Sequence, residues 1–226
     1  MKISIVIPVY NEEPTIQAVI QKIQQIPFEK EIIAVDDGST DKTAEILSSL
    51  QENSLIVLKH EKNQGKGAAL RTGFSKAAGD IILIQDADLE YDPQDYQNLL
   101  QPILEGKADV VYGSRFLSGP HRVLYFWHYV GNKFLTLLSN MLSNLNLSDM
   151  ETGYKVFKKE VLNQLKLKSN RFGFEPEFTI KIAKKNIKIY EVPISYYGRD
   201  YAEGKKITWR DGIAAIFALF RFWLWN

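Results

Sequence analysis

The chain contains no cysteine, which excludes disulfides, thiolate catalysis and cysteine-ligated zinc. Histidine is almost as scarce. His60, His121 and His128 are its three copies, too scattered for a histidine metal centre. Charge of one sign is missing too: the net value is +1, which argues against nucleic-acid binding by bulk electrostatics. No window reaches the ~20 apolar residues that a membrane-spanning helix needs. The opening apolar run, Ile3 to Ile7 followed by Pro8, is too short for a secretion leader, so no export is expected. Glycine-rich phosphate loops are absent as well. After that first run the chain reads Pro8-Val9-Tyr10-Asn11-Glu12-Glu13, where a dinucleotide fold would place G-x-G-x-x-G.

What remains is an ordinary globular composition, 226 residues with 45% hydrophobic and 24% charged, enough for one α/β domain with a short appendage. Apolar runs and helical spacings alternate through the first half. Strands are expected at Ile3–Val9, Glu31–Val35, Leu55–Leu58, Ile81–Gln85 and Ala108–Tyr112. Helices are expected at Glu13–Ile26, Asp41–Leu50, Gly67–Ala78 and Pro93–Leu104. Ser39, Thr40 and Asp41 are capping candidates for the second helix. Such βα repeats predict a doubly wound, mostly parallel Rossmann-like sheet flanked by helices. The second half predicts helices from about Val130 to Leu145 and around Glu177–Lys185, a strand Lys188–Pro193 and a hydrophobic C-terminal helix. Ser195–Lys206 reads as a loop that orders on binding.

The most informative stretch is Ile81-Ile82-Leu83-Ile84-Gln85-Asp86-Ala87-Asp88. Two carboxylates at the end of a buried strand repel each other unless a cation lies between them. Oxygen ligands suit Mg²⁺ or Mn²⁺, which keep positions open for substrate phosphates. The plainer alternative is a polar turn in which Asp88 caps the next element. Similar pairs of readings attach to the other strand ends. Pro8, Tyr10 and Glu12 suit a base or ribose, or a helix N-terminus. Asp37 in Val35-Asp36-Asp37-Gly38 suits ribose hydroxyls, or turn chemistry. Asn63-Gln64-Gly65-Lys66-Gly67 suits an anion at a helix entrance, or a tight loop.

Taken together on successive strand ends, Pro-x-Tyr-Asn-Glu, Asp-Asp-Gly-Ser-x-Asp, Gly-Lys-Gly and Asp-Ala-Asp resemble the family 2 glycosyltransferases over roughly the first 115 residues. The resemblance is greatest to the branch of dolichol-phosphate mannose synthases and other polyprenyl-phosphate glycosyltransferases. Gly113-Ser114-Arg115-Phe116, Asp149-x-x-Thr152-Gly153-Tyr154-Lys155-Val156-Phe157 and Glu191-Val192-Pro193-Ile194-Ser195-Tyr196 carry it, with Arg199, Lys205 and Lys206. It implies a GT-A fold over 1–206, with a donor half (1–115), an acceptor half with a mobile basic loop (116–206) and an interfacial helix (207–226).

By the same resemblance, Pro8, Tyr10, Glu12, Val35 and Asp37 surround the nucleoside. Asp86 and Asp88, with Ala87 between them, hold the metal and diphosphate, near Lys66 and Glu90. Arg199 with Lys205 or Lys206 covers the phosphates, and Arg115 faces the acceptor phosphate. Asp88, Arg115, Arg199 and Lys205 form the expected catalytic set. The implied partners are a nucleotide-diphospho-sugar, a polyprenyl phosphate and the cytoplasmic face of a membrane, with a homo-oligomer as a further option and no nucleic acid. Some positions depart from the family pattern. Glu90 replaces a glutamine, and Asn132, four residues before Thr136, stands where an arginine for the lipid phosphate is usual. Lys133, Arg122 and His121 are the alternatives to it. Phe172-Gly173-Phe174-Glu175-Pro176-Glu177 also differs, with Glu175 and Glu177 placed to shape the acceptor site or to start a helix. Toward the C-terminus, Phe217, Phe220, Phe222, Trp223 and Trp225 beside Arg221 suit a segment at headgroup level, or a packed helix.

Overall fold

A computed structural model describes residues 1–50, 54–117, 122–123, 125–200 and 209–225, with backbone alone at 209 and 210. The first half runs β1 (Ile3–Val9), α1 (Ile16–Gln24), β2 (Lys30–Asp36), α2 (Thr43–Ser49), β3 (Leu55–Lys59), α3 (Lys66–Lys76) and β4 (Ile81–Ile84). A 3₁₀ turn, Pro93–Asp95, leads into α4 (Tyr96–Leu104) and β5 (Val110–Ser114). The remainder is α5 (Phe126–Ser143), β6 (Lys155–Lys158), α6 (Lys159–Asn163), α7 (Phe174–Ala183), β7 (Ile189–Pro193) and α8 (Trp209–Leu224).

These strands form one sheet in the order β3-β2-β1-β4-β6-β5-β7. β1 pairs in parallel with β2 and β4, β2 with β3, and β5 with β7. The central strands are apolar at nearly every position because both faces are covered. Ile5, Ile7 and Leu83 pack under α1 and α4 with Ile16, Ile20, Leu99 and Ile103. Val6, Val35 and Ile82 face α3, α7 and α8 through Leu70, Phe74, Phe178 and Leu219.

One strand departs from the sequence expectation. β6 is inserted antiparallel between β4 and β5. It has four residues and opens on a fully buried lysine, Lys155, so no apolar run announces it. That ammonium is satisfied by the carbonyls of Met150 and Thr152 and lies 4.9 Å from the centre of the Tyr112 ring.

Helix starts also differ. α2 begins at Thr43 rather than Asp41. Two of the three expected caps are spent on the neighbouring loop, while Asp41 serves the helix start: Ser39 accepts from the Asn11 N–H, and the Thr40 N–H donates to the Asn11 side chain. Asp41 accepts from the N–H groups of Thr43 and Glu13. α5 begins four residues before the expected Val130, in the aromatic run Phe126-Trp127. It packs on α7 and α8. Among the described residues no helix is long and apolar enough to cross a membrane.

Candidate active site

Parallel strands point their carboxyl ends at one rim, and ligands of such sheets bind there. Here a cavity of about 1100 Å³ opens above β1, β2 and β4. Pro8, Tyr10, Glu12 and Asp37 line it, from the first two strand ends. Asp86, Ala87, Asp88 and Glu90 enter from the end of β4, and Lys66 from α3. Arg115, Asn132, Glu175 and Arg199 complete the wall from the second half. The fold thus brings most of the expected site residues to one place.

Its acidic centre is tightly built. Leu89 adopts a left-handed backbone (φ 62°), a strained conformation for a branched residue, and Asp88 Oδ1 accepts the Glu90 N–H at 3.2 Å across that turn. The polar turn of the plainer reading is therefore present alongside Asp88's place in the cavity, but the next element is capped by Asp92, whose side chain accepts the Gln94 N–H. Glu90 accepts from the Tyr196 hydroxyl (2.8 Å) and the Arg199 N–H (2.7 Å). The Arg199 guanidinium lies 3.3 Å from Glu12 and 3.4 Å from Asp88. Asp86 meets Lys66 Nζ at 2.8 Å, and the same ammonium is 3.1 Å from Glu175. Burial, then the charges of Asp86 and Glu90, push Asp88 up to about 7, against the pull of Arg199. Burial opposes the Lys66 charge, but Asp86 and Glu175 outweigh it and raise that pKa.

Asp86 and Asp88 supply carboxylate oxygens of the kind a divalent cation takes, although among the described residues no group of three or more His, Asp or Glu side chains is gathered to hold one. The centre already neutralises its carboxylates with a guanidinium and an ammonium, and Asp88 still gains from a further positive charge. Asp86 is also seated close against the backbone: a Cβ on Gly153 would stand 2.1 Å from Asp86 Oδ2.

Several expected residues do something else. Val35 is a core side chain facing α3. Asp37 reaches the cavity, yet its oxygens are occupied by the N–H groups of Gln64 and Gly65 and by His60 Nδ1 at 2.6 Å. It organises the loop before α3 rather than standing free. In that loop the glycines serve close packing. The Ala68 N–H donates to the Asn170 carbonyl, and a Cβ on Gly67 would meet the Ser169 carbonyl at 2.3 Å. The Ala68 N–H of the first turn is thus taken, and Lys66 presents its charge to the cavity.

Arg115 lines the cavity but is clamped by Asp149. Thr136 accepts from the Met150 N–H beneath the surface. Lys133 turns to the Ser148 carbonyl across the Phe116 ring. Glu177 is fully buried with Lys181 and accepts from the Lys168 and Ser169 N–H groups. Lys133, Thr136 and Glu177 do not line the cavity. Of the stand-ins for the missing arginine, Arg122 holds the Gly198 carbonyl and Asp200. His121, Lys205 and Lys206 lie outside the described residues.

Two carboxylates that line the cavity carry unused acceptors. Glu175 is 4% exposed and its Oε2 has no hydrogen-bond partner among the described residues, and Glu151 Oε1 is likewise buried and unpaired. Burial and then the Glu175 charge push Glu151 up to about 8. Sequence reading missed Glu151. The signal was its place inside Asp149-x-x-Thr152-Gly153, which lies against Asp86. The opposite wall is apolar, with Trp127 and Phe134 from α5 and Ile213 and Ile216 from α8.

Residues 4–166 match the model of glycosyl transferase family 2. The chain belongs to that family. This family 2 glycosyltransferase is 34% identical over 221 residues to the UDP-N-acetylglucosamine–dolichyl-phosphate N-acetylglucosaminyltransferase of Methanococcus voltae, covering 88% of this chain and 87% of that protein. It is 29% identical to the dolichol-phosphate mannosyltransferase of Pyrococcus furiosus, covering 91% of this chain and 59% of that one. A crystal structure of glucosyl-3-phosphoglycerate synthase from Mycobacterium tuberculosis with Mn²⁺, UDP and phosphoglyceric acid superposes with a TM-score of 0.77. Identity there is 23%, covering 98% of this chain and 78% of that one. That likeness gives the fold, GT-A, a mostly parallel sheet flanked by helices.

Proposed function

We propose that this glycosyltransferase moves a hexose, with inversion and with Mg²⁺ or Mn²⁺, from a nucleotide-diphospho-sugar to a polyprenyl phosphate at the cytoplasmic surface of a membrane. GDP-mannose and UDP-hexoses are the donor class. The observation that carries this reading is the continuity of one cavity. Its polar wall holds Asp86, Asp88, Lys66 and Arg199, and its other wall is the apolar α5–α8 surface. A charged donor and a lipid acceptor require those two environments side by side. The relatives' dolichyl-phosphate acceptors support it.

Pro8, Tyr10 and Glu12 flank the nucleoside, with Asp37 fixing the loop beside it. Asp86 and Asp88 would hold the cation. The bound cation supplies charge neutralisation for the departing diphosphate. Lys66 holds Asp86 in place. Arg199 rides on the segment leading to Lys205 and Lys206. Its guanidinium turns from Glu12 and Asp88 toward the phosphates, adding fixed positive charge where negative charge grows. Arg115, locked by Asp149, presents its edge and the Tyr196 ring (5.2 Å) to the acceptor side, with Asn132 opposite.

A phosphate monoester is largely ionised near neutrality, its second pKa being about 6, so the attacking oxygen needs no general base. Approach from the face opposite the leaving diphosphate inverts the anomeric centre. The membrane reading rests on exposed apolar residues along α5 (Phe126, Trp127, Phe134, Leu137, Met141) and α8 (Phe217, Trp223, Trp225). Exposed apolar side chains on two helices that pack together mark a protein or membrane contact.

A second reading, transfer to a sugar hydroxyl, is favoured by the unpaired Glu175 Oε2, since that acceptor needs a carboxylate base. Incubation of the enzyme with Mn²⁺, labelled UDP- and GDP-sugars and either undecaprenyl phosphate or sugar acceptors separates the two. An organic-extractable product from the lipid phosphate is expected. Label appearing only in the sugar acceptors overturns the first reading.

A further inference from the structure

Near the C-terminal end of α8 lies a group of lysines that the reaction does not use. Lys184 Nζ donates to the Phe222 and Trp223 carbonyls (3.0 and 2.9 Å), pinning the end of α7 to the last turn of α8. Beneath it Lys181 stands 5.1 Å from the centre of the Phe222 ring. A shallow depression beside this contact gathers Lys166, Lys168 and Lys185 around Lys181. Lys166, Lys168, Lys184, Lys185 and Arg221 are exposed. Among the described residues none of these five forms an ion pair with a carboxylate; Glu177 is buried on Lys181. Against the collar stand Trp223 (43% exposed), Leu224 (54%) and Trp225 (72%).

We infer that this lysine collar is an electrostatic docking surface for a bilayer rich in anionic phospholipid headgroups, with the α8 aromatics entering the interface that the lysines face. The inference rests on the membrane reading above and adds the charge of the lipid and the part of the surface that reads it. Apolar rings flanked by long cationic side chains have the composition of an interfacial anchor, with stems over hydrocarbon and heads among phosphates. A second copy of the chain is a poorer occupant. A two-fold contact sets each patch against itself, which would bring unpaired lysines onto lysines. An anionic leaflet offers the complementary sign across the whole face.

Each Lys or Arg near such a surface strengthens binding by about five-fold, an attraction that falls away within a Debye length. The test is co-sedimentation of the full chain with vesicles of phosphatidylcholine alone, and of equal parts phosphatidylcholine and phosphatidylglycerol, at low and high salt. The variants are Lys166→Glu/Lys168→Glu/Lys185→Glu and, as control, Lys59→Glu on the opposite sheet edge. Circular dichroism and the melting midpoint establish that each folds. The expected result is preference for the anionic vesicles, weakened by salt and lost at least tenfold in the triple variant but not in the control. Equal binding to both vesicles, unaffected by the triple variant, overturns the collar and leaves the membrane reading standing. No binding to either vesicle, or self-association in light scattering that the triple variant abolishes, overturns both.

Discussion

Arg115 and Asp149 form a two-point ion pair, Nε to Oδ2 at 2.7 Å and Nη2 to Oδ1 at 2.8 Å, with Asp149 fully buried. The Arg115 backbone N–H donates to the same carboxylate at 3.1 Å. The arginine expected to meet an acceptor is thus first a structural element, and what it offers to a ligand is set by its partner. Asp149→Ala leaves a buried guanidinium uncompensated and should destabilise the fold by about 3 kcal/mol. Denaturant unfolding measures this. A change under ~0.5 kcal/mol, the range of an exposed pair, would contradict the geometry.

Gly153 tests the close seating of Asp86. A Cβ there would lie 2.1 Å from Asp86 Oδ2 and 3.0 Å from the Tyr91 ring. Gly153→Ala should push Asp86 out of position and lower turnover by about a hundredfold, the scale of a 1 Å misplacement. Stability should fall only ~1–3 kcal/mol. Steady-state kinetics beside thermal melting separates the effects, and unchanged kcat would exclude Asp86 from the chemistry.

Glu31 predicts an acid transition remote from the site. Burial opposes its charge, yet hydrogen bonds from Lys2 (2.6 Å), Ser4 (2.5 Å) and the Ala78 N–H (2.6 Å) outweigh it and hold the carboxyl at about 2. Its ordinary value is 4.5. Because the folded pKa is depressed, the stabilisation is complete above pH 4.5 and is lost as pH falls toward 2. After solvent screening on the Lys2 side it is on the order of 2 kcal/mol. Unfolding free energy of the native chain should decline through that window more steeply than that of Glu31→Gln. Parallel pH curves would refute the assignment.

Where one physical cause acted locally, the sequence was readable. Apolar runs such as Ile81–Ile84 gave the parallel strands, and acids immediately after them gave the rim of the cavity. β6 was invisible because a buried lysine stands where an apolar residue would, and its pairing comes from strands distant in sequence. The roles of Lys133, Thr136 and Glu177 were hidden for a related reason. Lys133 and Thr136 are fixed by Ser148 and Met150, which only the return of the chain after α5 brings near, and Glu177 by the Lys168 and Ser169 N–H groups before α7 as well as by Lys181 one turn along it. Asp37 was placed at the right rim, but its capture by His60 and Gly65 depends on a loop conformation that residue types alone do not dictate. Glu151 escaped because its neighbours in space are Glu175 and Lys155, one on α7 and one on β6.

The central claim is that Asp86 and Asp88 grip a divalent cation that joins the donor diphosphate to the protein. Titration calorimetry of UDP and GDP into the native chain and into Asp88→Asn, with Mn²⁺ or with chelator, measures it directly. The account predicts tight binding of one nucleotide by the native chain with Mn²⁺. It also predicts a loss of about 2 kcal/mol or more, at least thirtyfold in affinity, with chelator or in the variant. Equal nucleotide affinity with and without Mn²⁺, or in Asp88→Asn, would contradict it.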